Sequence, residues 1–471
     1  MCALDRSSHV RGSFRSLAIV SVLVASLSVL GRPAAAQDNG GPAPSADAGA
    51  PGAAKDAAGA GPAPEVQPAT GPWTYLQLPA DEEEQERVEA AQESRRLAIR
   101  KMLNGGTIKP DEREGFETYY KTYALARWTW RSKHAELANF RRELRSDLKI
   151  AKISEANTQL TEIALAFLTE VAGGDYHPAA RYNALLAIGE LNKRESLRVS
   201  EPPVPMPQAL PVLLKALDDP RQPDVVKVAS LLGILRHVKA GLPEAQIPYT
   251  EVLSPVLALA ESKMAAGRTA EGHLWMRARA VEVLGAMRAV GEQNVVVRTL
   301  AGIVAEEGGP LTLRCAAAQA LGNLDYRSAI NLDPSGLAVA LGQLAADACA
   351  AELARTDNAP DERRGLKSCL NAVVIGLTGP PVQTRQGTDH PSKGIAGLAT
   401  NPAHKPIVDD LLKRVHVLVD LCNTEDLGQE AFLARIGEEL AQLREGLKKV
   451  PTTAAAPAPA SGTPTAEKEG S

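Results

Sequence analysis

Ala184-Leu-Leu-Ala-Ile-Gly189 is the first of five apolar segments that each end in Leu or Ile followed by Gly. The other four are Val228-Ala-Ser-Leu-Leu-Gly233, Ala280-Val-Glu-Val-Leu-Gly285, Ala317-Ala-Gln-Ala-Leu-Gly322 and Asn371-Ala-Val-Val-Ile-Gly376. Successive glycines are 44, 52, 37 and 54 residues apart, a spacing typical of one pair of helices per unit in helical solenoids. The sequence therefore predicts a degenerate helical repeat over residues 154–378.

These segments have the composition expected of the second helix in each pair. That helix is buried on most of its surface, so Ala and Gly admit neighbouring helices while Leu fills the gaps. Because Gly costs about 1 kcal/mol in a helix interior, its recurrence indicates close packing or an approaching helix end. The first helices of the pairs are predicted at Thr158–Val171, Gln208–Leu217, Glu251–Ala265, Asn294–Glu306 and Gly336–Leu353.

Charged residues also recur at fixed distances before the repeat glycine. Eight residues before it, three units carry Arg181, Arg277 and Arg314. Fourteen residues before it, four of the five units carry an acid: Asp175, Asp219, Glu271 and Glu362. An acid in the turn and an Arg six residues later resemble the HEAT repeat family.

The resemblance covers about half of the chain and implies an α-solenoid of stacked antiparallel helix pairs, a HEAT-like superhelix. In that family the acid and the Arg form a ladder of side-chain bonds between adjacent units. We expect each Arg here to be structural and to bind an acid in the preceding turn. Val225 and Ser368 replace the Arg in the second and fifth units, which predicts interruptions there. HEAT arrays serve as scaffolds, in transport and in a few enzymes.

The N-terminal residues have the pattern of a secretory signal peptide. Arg6, Arg11 and Arg15 precede a 14-residue apolar run, Leu17 to Leu30, and then Ala34-Ala35-Ala36. A basic start, a short apolar middle and a small-residue site predict cleavage after Ala36 and export to the periplasm, cell envelope or medium. The alternative is an uncleaved anchor that tethers the protein, but spanning a bilayer takes about 20 apolar residues.

Two low-complexity segments flank the predicted folded region. Residues 37–72 consist mainly of Ala, Gly, Pro and Asp, and the tail from 451 to 471 is similar. Neither contains enough apolar surface to offset the entropy of ordering, so we expect disorder in both. The formal net charge is −4, and removal of residues 1–36 changes it to −7. This acidic balance argues against nucleic acid or an anionic membrane as partner.

Residues 73–153 are predicted to form a helical hairpin that caps the array. Asp81 is a good N-cap for a first helix that ends at Asn104-Gly105-Gly106. A second, long helix is expected from Pro110. Aromatic and apolar residues recur along it every seven positions, at Phe116, Tyr123, Trp130, Leu137 and Leu144. This spacing suits two packed helices, and a repeat stack needs a specialised end. The alternative is an aromatic patch that binds a peptide or a glycan.

The array is predicted to continue to residue 450 and to contain about six pairs. Pro-rich residues Ser200 to Pro207 should be extended, as a stiff connection or as a docking site for a proline-recognising partner. A polar loop, residues 379–406, contains His390 and His404 and is either disordered or functional. Residues Ile407 to Val450 are expected to form two closing helices separated near Thr424.

The chain contains no motif for general acid–base, nucleophilic or metal chemistry. We therefore predict no catalytic residue, no cofactor-binding residue and no metal site. Four cysteines follow residue 36: Cys315, Cys349, Cys369 and Cys422. Adjacent helices about 8–10 Å apart would strain a bridge between the equivalent residues Cys315 and Cys369. We expect a Cys349–Cys369 bridge, or else four buried thiols.

Two classes of function are compatible with these sequence features. The first is an exported scaffold that binds an unidentified protein or extended ligand, has no integral membrane span after signal cleavage and does not bind nucleic acid. The second is an enzyme or enzyme accessory subunit with its site on the concave face or in the 379–406 loop. Convergence of His390 and His404 would favour the second class.

Overall fold

A computed structural model describes residues 73–196, 198, 202–241, 249–264, 268–355, 362–381, 392–424 and 426–450. The predicted signal peptide (1–36), the linker (37–72) and the tail (451–471) lie outside the described residues. The described part is all-α apart from one short pair of strands.

The N-terminal cap, residues 73–153, begins with α1 (Glu82–Gly105), α2 (Pro110–Tyr119) and α3 (Leu137–Ala151). The long second helix predicted from Pro110 was wrong, because the chain leaves the α-helix after Tyr119. It continues through a π-helix at Tyr120–Ala124 and two 3₁₀ turns. The indole of Trp130 donates a hydrogen bond to the carbonyl of Leu76 at 2.8 Å, and Thr129 Oγ1 accepts from the Leu76 amide. These bonds attach the segment before α1 to the irregular turns.

Six helix pairs follow the cap. The first helices are α4 (Glu155–Gly173), α6 (Ala209–Asp218), α8 (Tyr249–Ala260), α10 (Val295–Val304), α12 (Pro334–Leu353) and α14 (Lys405–Asn423). The second helices are α5 (Pro178–Glu190), α7 (Asp224–Ala240), α9 (Ala270–Met287), α11 (Leu311–Asn323), α13 (Glu362–Thr378) and α15 (Gln429–Lys448). The predicted all-α array of antiparallel pairs is confirmed.

The second helices of neighbouring units pack on one another through the repeat glycines. A Cβ atom placed on Gly189 would lie 2.6 Å from the Cα of Gly233. A Cβ atom on Gly285 would lie 2.8 Å from the Cα of Ala320. Because such distances are below van der Waals contact, these helices approach more closely than any residue with a side chain would allow. The close packing that the recurring glycine indicates is confirmed.

The repeat arginines bind partners other than those predicted. Arg277 Nε donates to the carbonyl of Ala260, at the end of α8, and its Nη2 donates to Glu306 at 3.1 Å. Arg314 likewise donates to the carbonyl of Val304 and to Asp347 of α12. The predicted partner, an acid in the turn before each Arg, was therefore wrong for both Arg277 and Arg314. The unpaired carbonyls at the end of each first helix attract the guanidinium of the same unit. Another nitrogen of that guanidinium then binds the acid of the following unit.

In the first unit a glutamine intervenes in this ladder. Arg181 Nη2 donates to Gln222 Oε1 at 2.6 Å, and Gln222 Nε2 donates to the carbonyl of Ala172 at the end of α4. Although Val225 replaces the Arg of the second unit, that unit is still linked to the third, because Arg268 forms a bidentate pair with Asp224. The ladder therefore continues with different residues.

A two-stranded antiparallel sheet links the first two units. Strand β1 (Asn192–Arg194) pairs with β2 (Val204–Pro205), within the Pro-rich connection. The expected extended backbone is confirmed at residues 204–205.

Part of the 379–406 loop is also ordered, since Ser392 is buried and its hydroxyl donates to the carbonyl of Gly322 at 2.7 Å. His390 and its neighbours from 382 to 391 lie outside the described residues.

The predicted cysteine pairing was wrong. A disulfide joins Cys315 of α11 to Cys369 of α13, with 5.4 Å between their Cα atoms. This short separation follows from Gly322, whose added Cβ atom would overlap the carbonyl group of Ile375. The two helices therefore lie closer than the usual 8–10 Å. Cys349 and Cys422 are buried free thiols, and burial raises the pKa of Cys349 to about 12.

His237 of α7 is buried and its Nε2 has no hydrogen-bond partner. Burial lowers its pKa from 6.5 to about 4. Between these values the unfolded chain binds a proton that the folded protein does not, so stability falls as the pH is lowered from 6.5 to 4. The full difference corresponds to about 3 kcal/mol.

We expect His237→Leu to remove much of this pH dependence. Urea unfolding at pH 7 and at pH 4.5 measures it, with His416→Gln, a change at an exposed site on α14, as the control. Burial also lowers the pKa of His134, His177 and His273, so a smaller dependence in the same direction should remain. An equal loss of stability in His237→Leu and wild type between the two pH values would contradict the assignment.

Candidate interaction surface on the second helices

An exposed tryptophan marks one surface of the second helices. All four tryptophans are described, and only Trp275 of α9 is exposed, with half of its surface accessible. The guanidinium carbon of Arg279 lies 5.2 Å from the centre of its ring. Trp275, Arg279, Glu282 and Ala286 follow at intervals of four, three and four residues, so they form one stripe along α9.

A chain of polar contacts extends from this stripe to the preceding helices. Arg279 Nη1 lies 2.5 Å from one oxygen of Glu282, and Lys239 Nζ of α7 lies 3.2 Å from the other. Three residues before Lys239 on α7, Arg236 donates to the carbonyl of Gly189 at 2.8 Å and to Asn192. Burial lowers the pKa of Arg236, against the opposing effect of Glu190 and Glu195.

The chain of contacts ends on the cap. Glu190, the last residue of α5, lies 2.5 Å from Arg145 Nη2 and 3.5 Å from Arg141 Nε, both on α3. Helix α3 therefore packs beside α5 as a further member of the layer. We call the set Arg141, Arg145, Arg236, Lys239, Trp275 and Arg279 the basic face.

Positive charge exceeds negative charge on the basic face. Glu190 and Glu282 are each bound by two cations. Together with the buried Glu195 they provide three carboxylates for five Lys and Arg. Lys239 remains 58% exposed despite its contact with Glu282. A ligand thus meets a tryptophan ring and several cations that no carboxylate fully neutralises.

The other surfaces that the sequence suggested have different surroundings. The aromatic residues of the cap are core residues: Phe116, Tyr120, Trp128 and Trp130 are buried. This burial favours the structural interpretation over the peptide or glycan patch. His404 immediately precedes α14, and its Nδ1 lies 2.7 Å from Ser335 Oγ and 3.7 Å from Asp333 Oδ1. It connects the N-terminal ends of α12 and α14, and convergence with His390 stays untested.

Two cavities lie away from the basic face. One of about 20 Å³, room for about one water molecule, lies in the cap beside Tyr119, Arg96 and Asp147. A groove of about 400 Å³ lies between α12, α14 and α15, and Leu411, Leu443 and Leu447 contribute to its lining. Trp275 lines neither cavity. Among the described residues, no group of three or more His, Cys, Asp or Glu side chains could hold a metal ion.

One described helix, α12, is long and apolar enough to cross a membrane, and half of its most apolar window is buried in the protein. It packs mainly against α13, α14 and α15, and it also contacts α10 and α11 of the preceding unit. These contacts are those of a core helix in the last two units.

Pairs of antiparallel helices that stack through their second helices define an α-solenoid of the HEAT type. The family model of the PBS lyase HEAT-like repeat matches residues 180–219, which include most of α5, both strands and α6. The chain therefore contains a HEAT-like repeat, and the family resemblance predicted from the acid and Arg positions is confirmed. No curated protein and no solved structure matches the chain.

Sequence reasoning did not find the basic face. The sequence features predict a scaffold that binds a protein or an extended ligand, but they do not indicate which residues bind it. The available signal was Trp275 itself, the one tryptophan of the four in the sequence that lies outside the aromatic-rich cap.

Proposed function

We propose that the protein is an exported helical-repeat scaffold that binds a protein partner through the basic face and performs no catalysis. The observation that carries the proposal is the exposed ring of Trp275, supported by Arg279. Trp and Arg are enriched among the residues that contribute most to protein interfaces. Trp275 is the largest of the exposed apolar side chains among the described residues, and a partner that covers it would remove its ring from water.

The contacts of the basic face support binding by a preformed surface. Four of its five cations are bonded to a carboxylate, a carbonyl or an amide of a neighbouring helix. The fifth, Arg279, is bonded to Glu282 of its own helix. A surface that is ordered before binding loses little side-chain entropy on association. The HEAT-like repeat supports the scaffold class, since such arrays present several successive helices to one ligand.

Export is part of this proposal and rests on the pattern in residues 1–36. The intact mass of the protein from its native host tests it. A chain that begins at Gln37 supports export, whereas a cytosolic chain that begins at Met1 would contradict it.

Trp275→Ala is expected to weaken partner binding by about 2 kcal/mol or more, which is about thirtyfold in affinity. The ring is half exposed, so the melting temperature should change little. Affinity capture from the native host, followed by titration of the captured protein, measures the effect.

Leu97→Ala is the matched control, because Leu97 is a large apolar residue on α1 that is 68% exposed. It should bind the partner like wild type. Undiminished capture by Trp275→Ala, or an equal loss in both variants, would contradict the proposed site.

A further inference from the structure

The two helix layers of the array carry opposite formal charge. In the first five pairs, the second helices contain ten basic residues and five acidic ones. The basic ones are Arg181, Lys227, Arg236, Lys239, Arg277, Arg279, Arg314, Arg363, Arg364 and Lys367, and the acidic ones are Glu190, Asp224, Glu271, Glu282 and Glu362. The first helices contain only Lys215 and Arg298 against seven acids: Glu155, Glu162, Glu170, Asp218, Glu251, Asp347 and Glu352. The net charge of −4 for the chain conceals this separation.

Some of these cations serve the ladder and are not offered to a ligand. Arg314 is buried against Asp347, and Arg277 is held by Glu306 and a helix end. The acids of the layer are neutralised as well, since Asp224 is held by Arg268 and Glu190 by two arginines of α3. Of the eight other cations of the second helices, Arg236, Lys239 and Arg279 lie on the basic face. Arg141 and Arg145 of α3 bring the cations there to five, against three carboxylates.

The length of the basic face limits the form of its ligand. It crosses four successive helices, α3, α5, α7 and α9, which is three spacings of at most about 8–10 Å, since α5 and α7 meet at glycine. An extended peptide advances about 3.3 Å per residue, so at most about eight residues would cross the face from Arg145 to Trp275. Three or four of their side chains would meet the cations, and an apolar or aromatic residue at one end would meet Trp275.

We propose that the ligand of the basic face is an acidic, extended segment of a partner protein. This inference rests on the proposed function, since it names the chemistry of the partner that binds there. A short acidic segment contacts the cations of the face alone. A large polyanion such as a duplex nucleic acid also senses the net negative charge of the whole chain, which repels it.

The test uses the protein purified from its native host and a fluorescent peptide of eight glutamates that ends in tryptophan. Fluorescence anisotropy in low salt should show saturable binding that weakens as salt is added. Lys239→Glu should weaken binding about threefold to tenfold, because it replaces an attraction with a repulsion. The double variant Lys239→Glu/Arg279→Glu should weaken it further.

Lys413→Glu is the matched control. Lys413 is exposed on α14, outside the basic face, and the substitution makes the same change in net charge. Its affinity for the peptide should stay within about twofold of wild type, since exposed charges farther apart than the Debye length are largely screened. An equal loss in Lys413→Glu and Lys239→Glu would overturn the inference, because it would show a general charge effect.

Two further outcomes separate this inference from the proposed function. If Trp275→Ala abolishes capture of the native partner but the glutamate peptide does not bind, the scaffold stands and the acidic ligand is wrong. If a sulfated polysaccharide binds the same face more tightly than the peptide, the ligand is not a protein segment and the inference is again overturned. Circular dichroism of each variant must match wild type, so that a loss of binding is not a loss of fold.

Discussion

Replacing Cys315 and Cys369 together with alanine is expected to lower the free energy of unfolding by about 4 kcal/mol. The disulfide closes a loop with a sequence separation of 54 residues. In the chain-entropy account, loss of such a bridge returns that much freedom to the unfolded chain. Urea unfolding under oxidising conditions measures the change.

A reducing agent provides the control for this prediction. It should destabilise wild type to about the level of the double variant and leave the double variant unchanged. Peptide mapping without reduction should find Cys315 joined to Cys369, and Cys349 and Cys422 as thiols. Joining of Cys349 to Cys369 would contradict the close packing of α11 against α13.

The second large effect is expected from Gly322→Ala, with a loss of about 3 kcal/mol, the upper end for overpacking. The added methyl group would overlap the carbonyl of Ile375 in α13. Backbone atoms cannot move aside as a flexible side chain can, so the two helices must separate. Thermal unfolding monitored by far-UV circular dichroism measures the loss.

Gly302→Ala is the control for this substitution. Gly302 lies within α10, and no atom of a neighbouring element lies within 4 Å of an added Cβ. Since Ala is favoured over Gly in helices by about 1 kcal/mol, this variant should be as stable as wild type or more stable. A tolerated Gly322→Ala would mean that α11 and α13 are not in close contact.

Much of the fold could be predicted from the sequence, because local residue patterns indicate where each helix of a pair lies. The recurring Gly189 and its equivalents located the second helices, and the apolar runs between them located the first. These signals depend on residues within one helix. The break after Tyr119 was missed, because heptad spacing shows which residues are buried and not whether the backbone between them is helical. The hydrogen bonds that stabilise this break join Thr129 and Trp130 to Leu76, which lies before α1 and outside the pattern.

The cysteine pairing and the arginine partners depend on contacts between units. Helix spacing at Cys315 is set by Gly322 and Ile375, and no pattern within either segment gives that distance. In the same way Arg277 reaches Glu306 only because the following unit places its turn there. A generic spacing of 8–10 Å was the wrong reference for helices that meet at glycine.

The basic face could not be predicted for the same reason. Glu190 and Arg145, or Lys239 and Glu282, are 45 and 43 residues apart, and only stacking brings them together. The net charge was also misleading, because it averages over two layers of opposite sign. The expectation of no catalytic, cofactor or metal residue stays a prediction.

Photo-crosslinking in the native host tests the central claim most directly. A photoreactive phenylalanine analogue at position 275 places the probe on the basic face, and the same analogue at position 97 places it on α1. We expect a specific adduct with a partner protein from position 275 and none from position 97, and the adduct should be lost when Lys239→Glu and Arg279→Glu are added. An adduct from position 97 alone, or an adduct from position 275 that both charge reversals leave unchanged, would contradict the account.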